Sequence, residues 1–185
     1  MKAGGTILVR AARGDDLEPV AAIFLACWQG YVDFLPERII GVYEADDARA
    51  LWRRILSISD PSRTCIVAES VEGDVLGVIA AGIDPDQPAT GHVFSLYVGP
   101  TARGMGVGAR LLAVAIEQFR RQHLVEATLW VFAANTGARR FYSGLGWHSD
   151  GSMRVEAEYG EPEVHLRRAL DDVDPPLREI HKVTT

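Results

Sequence analysis

The stretch LYVGPTARGMGVGARLLAVAIEQF, residues 96–119, decides how this chain is read. It joins an apolar strand ending at Val98 to a run in which Leu111, Leu112, Ala115, Ile116 and Phe119 recur at helical spacing, with Gly108 on the same face. Between the two, Gly104, Gly106 and Gly108 stand on alternate positions behind Arg103. A helix N-terminus carries unsatisfied N–H groups and the positive end of the helix dipole, so it binds phosphate wherever side chains leave the approach open. Gly108 falls in the first turn of a helix made otherwise of good helix formers, where glycine costs up to about 1 kcal/mol relative to alanine. Close backbone contact with a ligand would offset that cost, and so would tight packing of the helix on a sheet.

Three phosphate loops compete for this stretch. A P-loop ends in Gly-Lys-Ser/Thr, and GARL supplies neither residue. The dinucleotide fingerprint G-x-G-x-x-G/A is formally met by Gly104, Gly106 and Ala109, but GPTAR separates the strand from the first glycine. Glu126, at the distance of a ribose-binding acid, opens the next strand instead of closing it. The third pattern, Arg-x-x-Gly-x-Gly, is met by Arg103, Gly106 and Gly108.

A second stretch, NTGARRFYSGLGW at residues 135–147, lies downstream of the strand ATLWVFA. Asn135 can cap a short helix, Ala138, Phe141, Tyr142 and Leu145 share one face of it, and Gly146 can end it. Taken together, the strand with Pro100, the Arg-x-x-Gly-x-Gly loop and the Asn-x-x-Ala-x-x-Phe-Tyr-x-x-x-Gly-Trp stretch resemble the GNAT superfamily of acyl-CoA-dependent N-acetyltransferases.

That resemblance implies acetyl-CoA as acyl donor, an amine acceptor, direct attack in a ternary complex and no metal. Arg103 and the amides of the loop, Gly104, Met105, Gly106, Val107 and Gly108, would hold the pyrophosphate. Pantetheine would lie beside Leu96, Tyr97 and Val98 like an added strand, their N–H groups polarising the thioester oxygen. Asn135 would sit near the pantetheine arm, as well as capping its helix, and Arg139 or Arg140 would reach a nucleotide phosphate. Tyr142 matches the family's general acid: a thiolate is a weaker base than a tyrosinate, and a positioned phenol can hydrogen-bond and protonate the sulfur as charge develops.

An acceptor amine with a pKa of about 10.4 costs roughly 4.6 kcal/mol to neutralise at pH 7, so a base or a water chain is useful. Some relatives place a glutamate near the start of the matching strand; here His92 stands in that region, with Glu69 and His165 as alternatives. For the acceptor, Trp28, Tyr31 and Phe34 can wall a pocket and Asp33 can attract an ammonium. The plainer reading, that Trp28 and Phe34 fill core, stays open. A non-catalytic acyl-CoA-binding sensor with the same fold is the alternative function, and a nicotinamide-dependent enzyme comes third.

The whole chain sets bounds on this reading. Its 185 residues are 48% hydrophobic, enough for one domain with a full core. A net charge of −6 argues against a nucleic-acid partner. Four arginines against Glu117 alone between Arg103 and Arg121 suggest that an anionic ligand is met there. Cys27 and Cys65 lie far apart and the histidines show no ligand spacing, so neither a disulfide nor a metal site is expected, and the setting reads as cytoplasmic. No apolar run suggests a signal peptide or a membrane span.

The element order predicts an α/β fold of GNAT type, a mixed and mostly antiparallel sheet of about seven strands flanked by about four helices. Strand TILVRAA leads into a helix with Asp15 and Glu18 at capping-box spacing. A broken helical region over residues 36–58 precedes a hairpin formed by TCIVAES and VLGVIAAGI, then HVFSLYV. The domain is expected over residues 1–170. Residues 171–185 form a charged, Pro-containing tail; with the family's habits, that tail fits a homodimer.

Overall fold

The computed structural model describes residues 6–170, and the expected tail at 171–185 lies outside them. Strands β1 (Leu8–Ala11), β2 (Arg63–Glu69), β3 (Val75–Ile83), β4 (Thr90–Val98), β5 (Glu126–Phe132), β6 (His148–Val155) and β7 (Pro162–Ala169) form one sheet in the order β1-β2-β3-β4-β5-β7-β6. Every neighbouring pair is antiparallel except β4–β5. Helices α1 (Leu17–Gln29), α2 (Glu37–Ile40), α3 (Ala45–Leu56), α4 (Val107–Arg121) and α5 (Thr136–Gly144) complete the described chain. The α/β class and mixed seven-stranded sheet are as expected; the region over 36–58 is two helices, which raises the helix count among the described residues to five.

Two cores arise from the period-2 alternation of the strands. On one face Ile66, Ala68, Ile79, Ala81 and Leu129 meet Leu111, Leu112, Ala115, Ile116 and Phe119 of α4. On the other, Val67 and Val78 meet Phe24 of α1 and Trp52 of α3. Central strand β3 is buried on both sides, which is why VLGVIAAGI reads as a continuous apolar run and not as an alternating one.

The start of α1 corrects one expectation. Asp15 does not cap it: a short 3-10 turn, Gly14–Asp16, comes first, and Asp16 accepts the Arg13 N–H at 2.6 Å. Asp16 is drawn there because Arg10 on β1 binds it through two nitrogens at 2.8 and 2.9 Å. The same guanidinium holds Glu69 at 2.7 Å.

An irregularity in the middle of the sheet opens the site. Between Ala80 and Ala81 of β3 the register of β4 jumps from Ser95 to Val93, leaving Phe94 as an extra residue, a β-bulge. Strand β5 pairs with β4 only from Thr90 to Val93. Past that point β5 continues with β7, β4 continues with β3, and the sheet parts between them.

Candidate functional site

The parted sheet opens on two adjoining cavities. The first, of about 630 Å³, is lined by Leu96, Tyr97 and Val98 of β4, by Arg103, Gly104, Gly106 and residues 107–109, and by Asn135, Ala138, Phe141 and Tyr142. Cys27, Gly30, Tyr31 and Phe34 from the end of α1 and the turn after it close its remaining side.

The three glycines have separate causes. Gly104 and Gly106 stand at φ +76 and +80 with nothing within 4 Å of a notional Cβ, so the turn itself demands left-handed backbone and the space beside it is open. Gly108 is different: a Cβ there would lie 3.2 Å from Phe141 Cζ and 3.4 Å from Val98 Cγ2. Packing of α4 against α5 and β4 accounts for that glycine. Among the described residues, the N–H groups of Gly104, Gly106 and residues 107–109 donate to no backbone acceptor; the α4 ladder begins with Arg110 donating to Gly106 at 3.1 Å. Uncommitted amides, a helix N-terminus and unfilled space are what a phosphate needs.

The arginine excess over residues 103–121 does not converge here. Arg103 lines the cavity, its Nη2 3.6 Å from a notional Cβ on Gly30. Arg110 donates to the Ile7 carbonyl, Arg120 to the Leu170 carbonyl and Arg121 to Glu117. Met105, Arg139 and Arg140 also do not line the cavity. Arg139 donates to the Ala133 carbonyl and Arg140 to the Thr136 carbonyl, tying both to their own helix and its approach.

Asn135 caps α5 by accepting the Ala138 N–H at 3.0 Å. Tyr142, two turns on, is 7% exposed, with its ring edge-on to Phe141 and Trp147. Burial alone pushes its phenol above the ordinary tyrosine range, so it stays protonated at neutral pH. Cys27 donates to the Val98 carbonyl at 3.3 Å, and its thiol is pushed up chiefly by burial, with Arg103 acting against it. Neither feature suits a nucleophile.

The second cavity, of about 730 Å³, has an aromatic wall of Trp28, Tyr31, Tyr43, Tyr97, Phe132 and Tyr159. His92 lines it too. Its Nδ1 lies 2.9 Å from Thr128 Oγ1 and 3.8 Å from Asp84 Oδ2. Thr128 Oγ1 donates to the Gly91 carbonyl at 3.3 Å, which commits its one proton, so it accepts from His92 Nδ1–H and leaves Nε2 with a bare lone pair. Burial lowers the His92 pKa to about 4, the largest effect, with Asp84 opposing it. Tyr31, Leu96, Tyr97, Asn135, Ala138 and Tyr142 line both cavities and so mark the junction.

Of the expected acceptor residues, Trp28 and Tyr31 border the second cavity, while Phe34 borders the first. Asp33 is exposed and lines neither: it ends the 3-10 turn Gly30–Asp33, whose tight phase turns Tyr31 toward the cavities. Glu69 is bound to Arg10 at the far end of β2, and His165 is paired with Asp150 at 2.7 Å; neither lines either of these two cavities. Tyr43, Phe132, Tyr159, Glu156, Glu158 and Glu163 were not singled out by sequence, because they enter from segments far apart in the chain and carry no motif.

An α/β domain built around a parted sheet, with an amide cradle at one helix start, is the class that fold and site define. Residues 19–147 match the acetyltransferase (GNAT) family, and the chain belongs to it. An uncharacterised N-acetyltransferase of Archaeoglobus fulgidus is 26% identical over 139 residues, covering 73% of this chain and 88% of that protein. A mycothiol acetyltransferase of Kocuria rhizophila is 36% identical over 94 residues, 48% of this chain but only 31% of the relative. The PaiA N-acetyltransferase of Thermoplasma acidophilum, solved with coenzyme A, superposes with a TM-score of 0.74 at 17% identity, covering 89% of this chain and 99% of that one. A GCN5-related N-acetyltransferase from Kribbella flavida gives 0.69 at 24% identity, covering 88% and 97%. Among the described residues no helix is long and apolar enough to cross a membrane.

Proposed function

We propose that this protein transfers an acetyl group from acetyl-CoA to a primary amine by direct attack, with both substrates bound at once. The observation that carries this reading is the junction: six residues, Tyr142 among them, belong to both cavities. A donor in the first cavity and an acceptor in the second would then meet beside one buried phenol. The open amides of Gly104, Gly106 and residues 107–109 and the Arg103 guanidinium suit the diphosphate, and the edge of β4 left open on its β5 side past Val93 suits an extended arm. Bound there, acetyl-CoA supplies an activated thioester.

The residues of the chain divide the remaining work. The Leu96–Val98 edge offers main-chain groups to the thioester carbonyl. Tyr142 donates a hydrogen bond to the departing sulfur. Because burial raises the phenol's pKa, full proton transfer to a thiolate runs uphill, and its main contribution is a charge-assisted hydrogen bond. The acceptor attacks as the neutral amine, its ammonium proton first lost to water, because His92, neutral at pH 7, is too weak a base to strip it; the attacking nitrogen then becomes strongly acidic as it bonds to carbon. The bare Nε2 takes the proton that this nitrogen sheds. With Cys27 and Cys65 both pushed up by burial, a covalent acyl-cysteine path has no activated thiol.

The test measures coenzyme A thiol release across a panel of amines and peptides, beside calorimetric titration with coenzyme A. Binding with turnover supports the enzyme. Binding without turnover on any amine points to the acyl-CoA sensor instead, and absence of binding removes both.

A further inference from the structure

The charge of the second cavity narrows its occupant. Five carboxylates line it, Asp84, Asp86, Glu156, Glu158 and Glu163, against two guanidiniums, Arg54 and Arg154. Arg154 is already committed: it holds Glu156 and Glu163, each at 2.7 Å, and lies 4.4 Å over the Trp130 ring. That leaves Asp84 and Asp86 on the β3–β4 connection and Glu158 on the β6–β7 connection against Arg54 alone, a net acidic lining. Glu158 is held in place by the Tyr43 hydroxyl at 2.8 Å, which in turn lies 3.0 Å from the Tyr159 hydroxyl.

Carboxylates on their own would be a solvated rim. Here they share a cavity with an aromatic wall, and that cavity opens onto Tyr142. Aromatic faces attract cations and cover methylene chains, while carboxylates take up ammonium groups by charge-assisted hydrogen bonds. A carboxylate-bearing acceptor, such as a free amino acid, would meet repulsion from the same groups. The volume, about 730 Å³, is that of a small-molecule site.

We infer that the acceptor is a small dicationic amine without a carboxylate, an aliphatic diamine or polyamine, whose reacting nitrogen reaches the junction while its second ammonium is held by Glu158 within the acidic lining. This rests on the reading of the second cavity as the acceptor site.

The experiment compares butane-1,4-diamine with 1-aminobutane, with 2,4-diaminobutanoate and with a basic peptide bearing a free α-amine, by kcat/KM for thiol release. The diamine is titrated in parallel into the coenzyme A-loaded protein. The diamine should exceed 1-aminobutane and 2,4-diaminobutanoate by about tenfold or more, a factor in the range of one charge-assisted contact. Glu158→Gln, an exposed change that keeps an acceptor for Tyr43, should bring the ratio of the diamine's kcat/KM to that of 1-aminobutane down to within about twofold of unity. Equal rates for the monoamine, a preference for the amino acid, or a preference for the peptide would each overturn the inference. If coenzyme A binds but nothing turns over, the titration decides: diamine heat that Glu158→Gln removes upholds the inference, and no heat defeats it. Loss of coenzyme A binding is a separate failure, that of the acetyltransferase reading.

Discussion

His92 and Thr128 are joined across the parallel pair β4–β5, Nδ1 to Oγ1 at 2.9 Å, and the Thr128 hydroxyl proton is spent on the Gly91 carbonyl. One threonine thereby fixes the tautomer of a buried imidazole. At pH 7 the nitrogen-15 spectrum of His92 should show protonated Nδ1 and bare Nε2. Thr128→Val should lose that signature, and Thr128→Ser should restore it. A protonated Nε2 in the unaltered protein would rule out the arrangement.

The same burial couples His92 to stability. Its folded pKa of about 4 lies below the ordinary 6.5, so the unfolded chain binds the proton more readily. The contribution is complete above about pH 6.5 and is lost as pH falls toward 4, by roughly 2 to 3 kcal/mol. His92→Gln should flatten the acid side of the unfolding profile over that window. In rate measurements, the acid limb belonging to this group should stand near pH 4, and His92→Ala should remove it.

Gly106 and Gly108 should respond in opposite ways to alanine. At Gly106 the φ of +80 forces strain of about 1 kcal/mol and draws the turn away from the open amides, so coenzyme A affinity and stability should both fall. At Gly108 alanine gains up to about 1 kcal/mol of helix propensity but pushes Phe141 by a few tenths of an ångström. Stability should change little while the cavity wall moves, which paired thermal unfolding and calorimetry would reveal.

Tyr142→Phe keeps the ring that packs on Phe141 and Trp147 and removes only the hydroxyl. Turnover should fall by about tenfold to a hundredfold, the worth of a hydrogen bond to a charged group, with coenzyme A affinity unchanged. Unaltered turnover would take the phenol out of the reaction.

The order of elements along the chain and the glycine turn ahead of α4 were legible because they rest on local signals: apolar runs, the GMGVG turn, and Asn135 ahead of a helical face. Gly108 was legible as unusual but not as to cause, since its neighbour Phe141 lies 33 residues away in another helix. The arginines between 103 and 121 misled by composition: helical phase spreads Arg110, Arg120 and Arg121 to carbonyls and a glutamate outside the cavity. Of the aromatic wall of the second cavity, Trp28 and Tyr31 were legible, whereas Tyr43, Phe132, Tyr159 and Glu158 come from segments far apart in the chain, beside a sheet that parts past Val93 after a bulge at Phe94 that no periodicity announces.

Asp16 offers a check on the fold away from the site. Its carboxylate takes two nitrogens of Arg10 and the Arg13 N–H, so it pins β1 to the start of α1. The Arg10 hydrogen bonds, the largest cause, hold its pKa below the usual carboxylate range despite the opposing effect of burial. A depressed folded pKa gives stability that is present above the unfolded value of about 3.9 and lost as pH falls through the folded one. Asp16→Asn keeps an acceptor for Arg13 but strands the guanidinium with Glu69 alone, and should cost about 1 to 3 kcal/mol at pH 7. The deficit should shrink below pH 4, where the unfolded carboxylate takes up its proton while the folded one, with its lowered pKa, still resists it. A deficit of the same size at pH 3 and pH 7, measured by denaturant unfolding, would show that charge at this position contributes nothing.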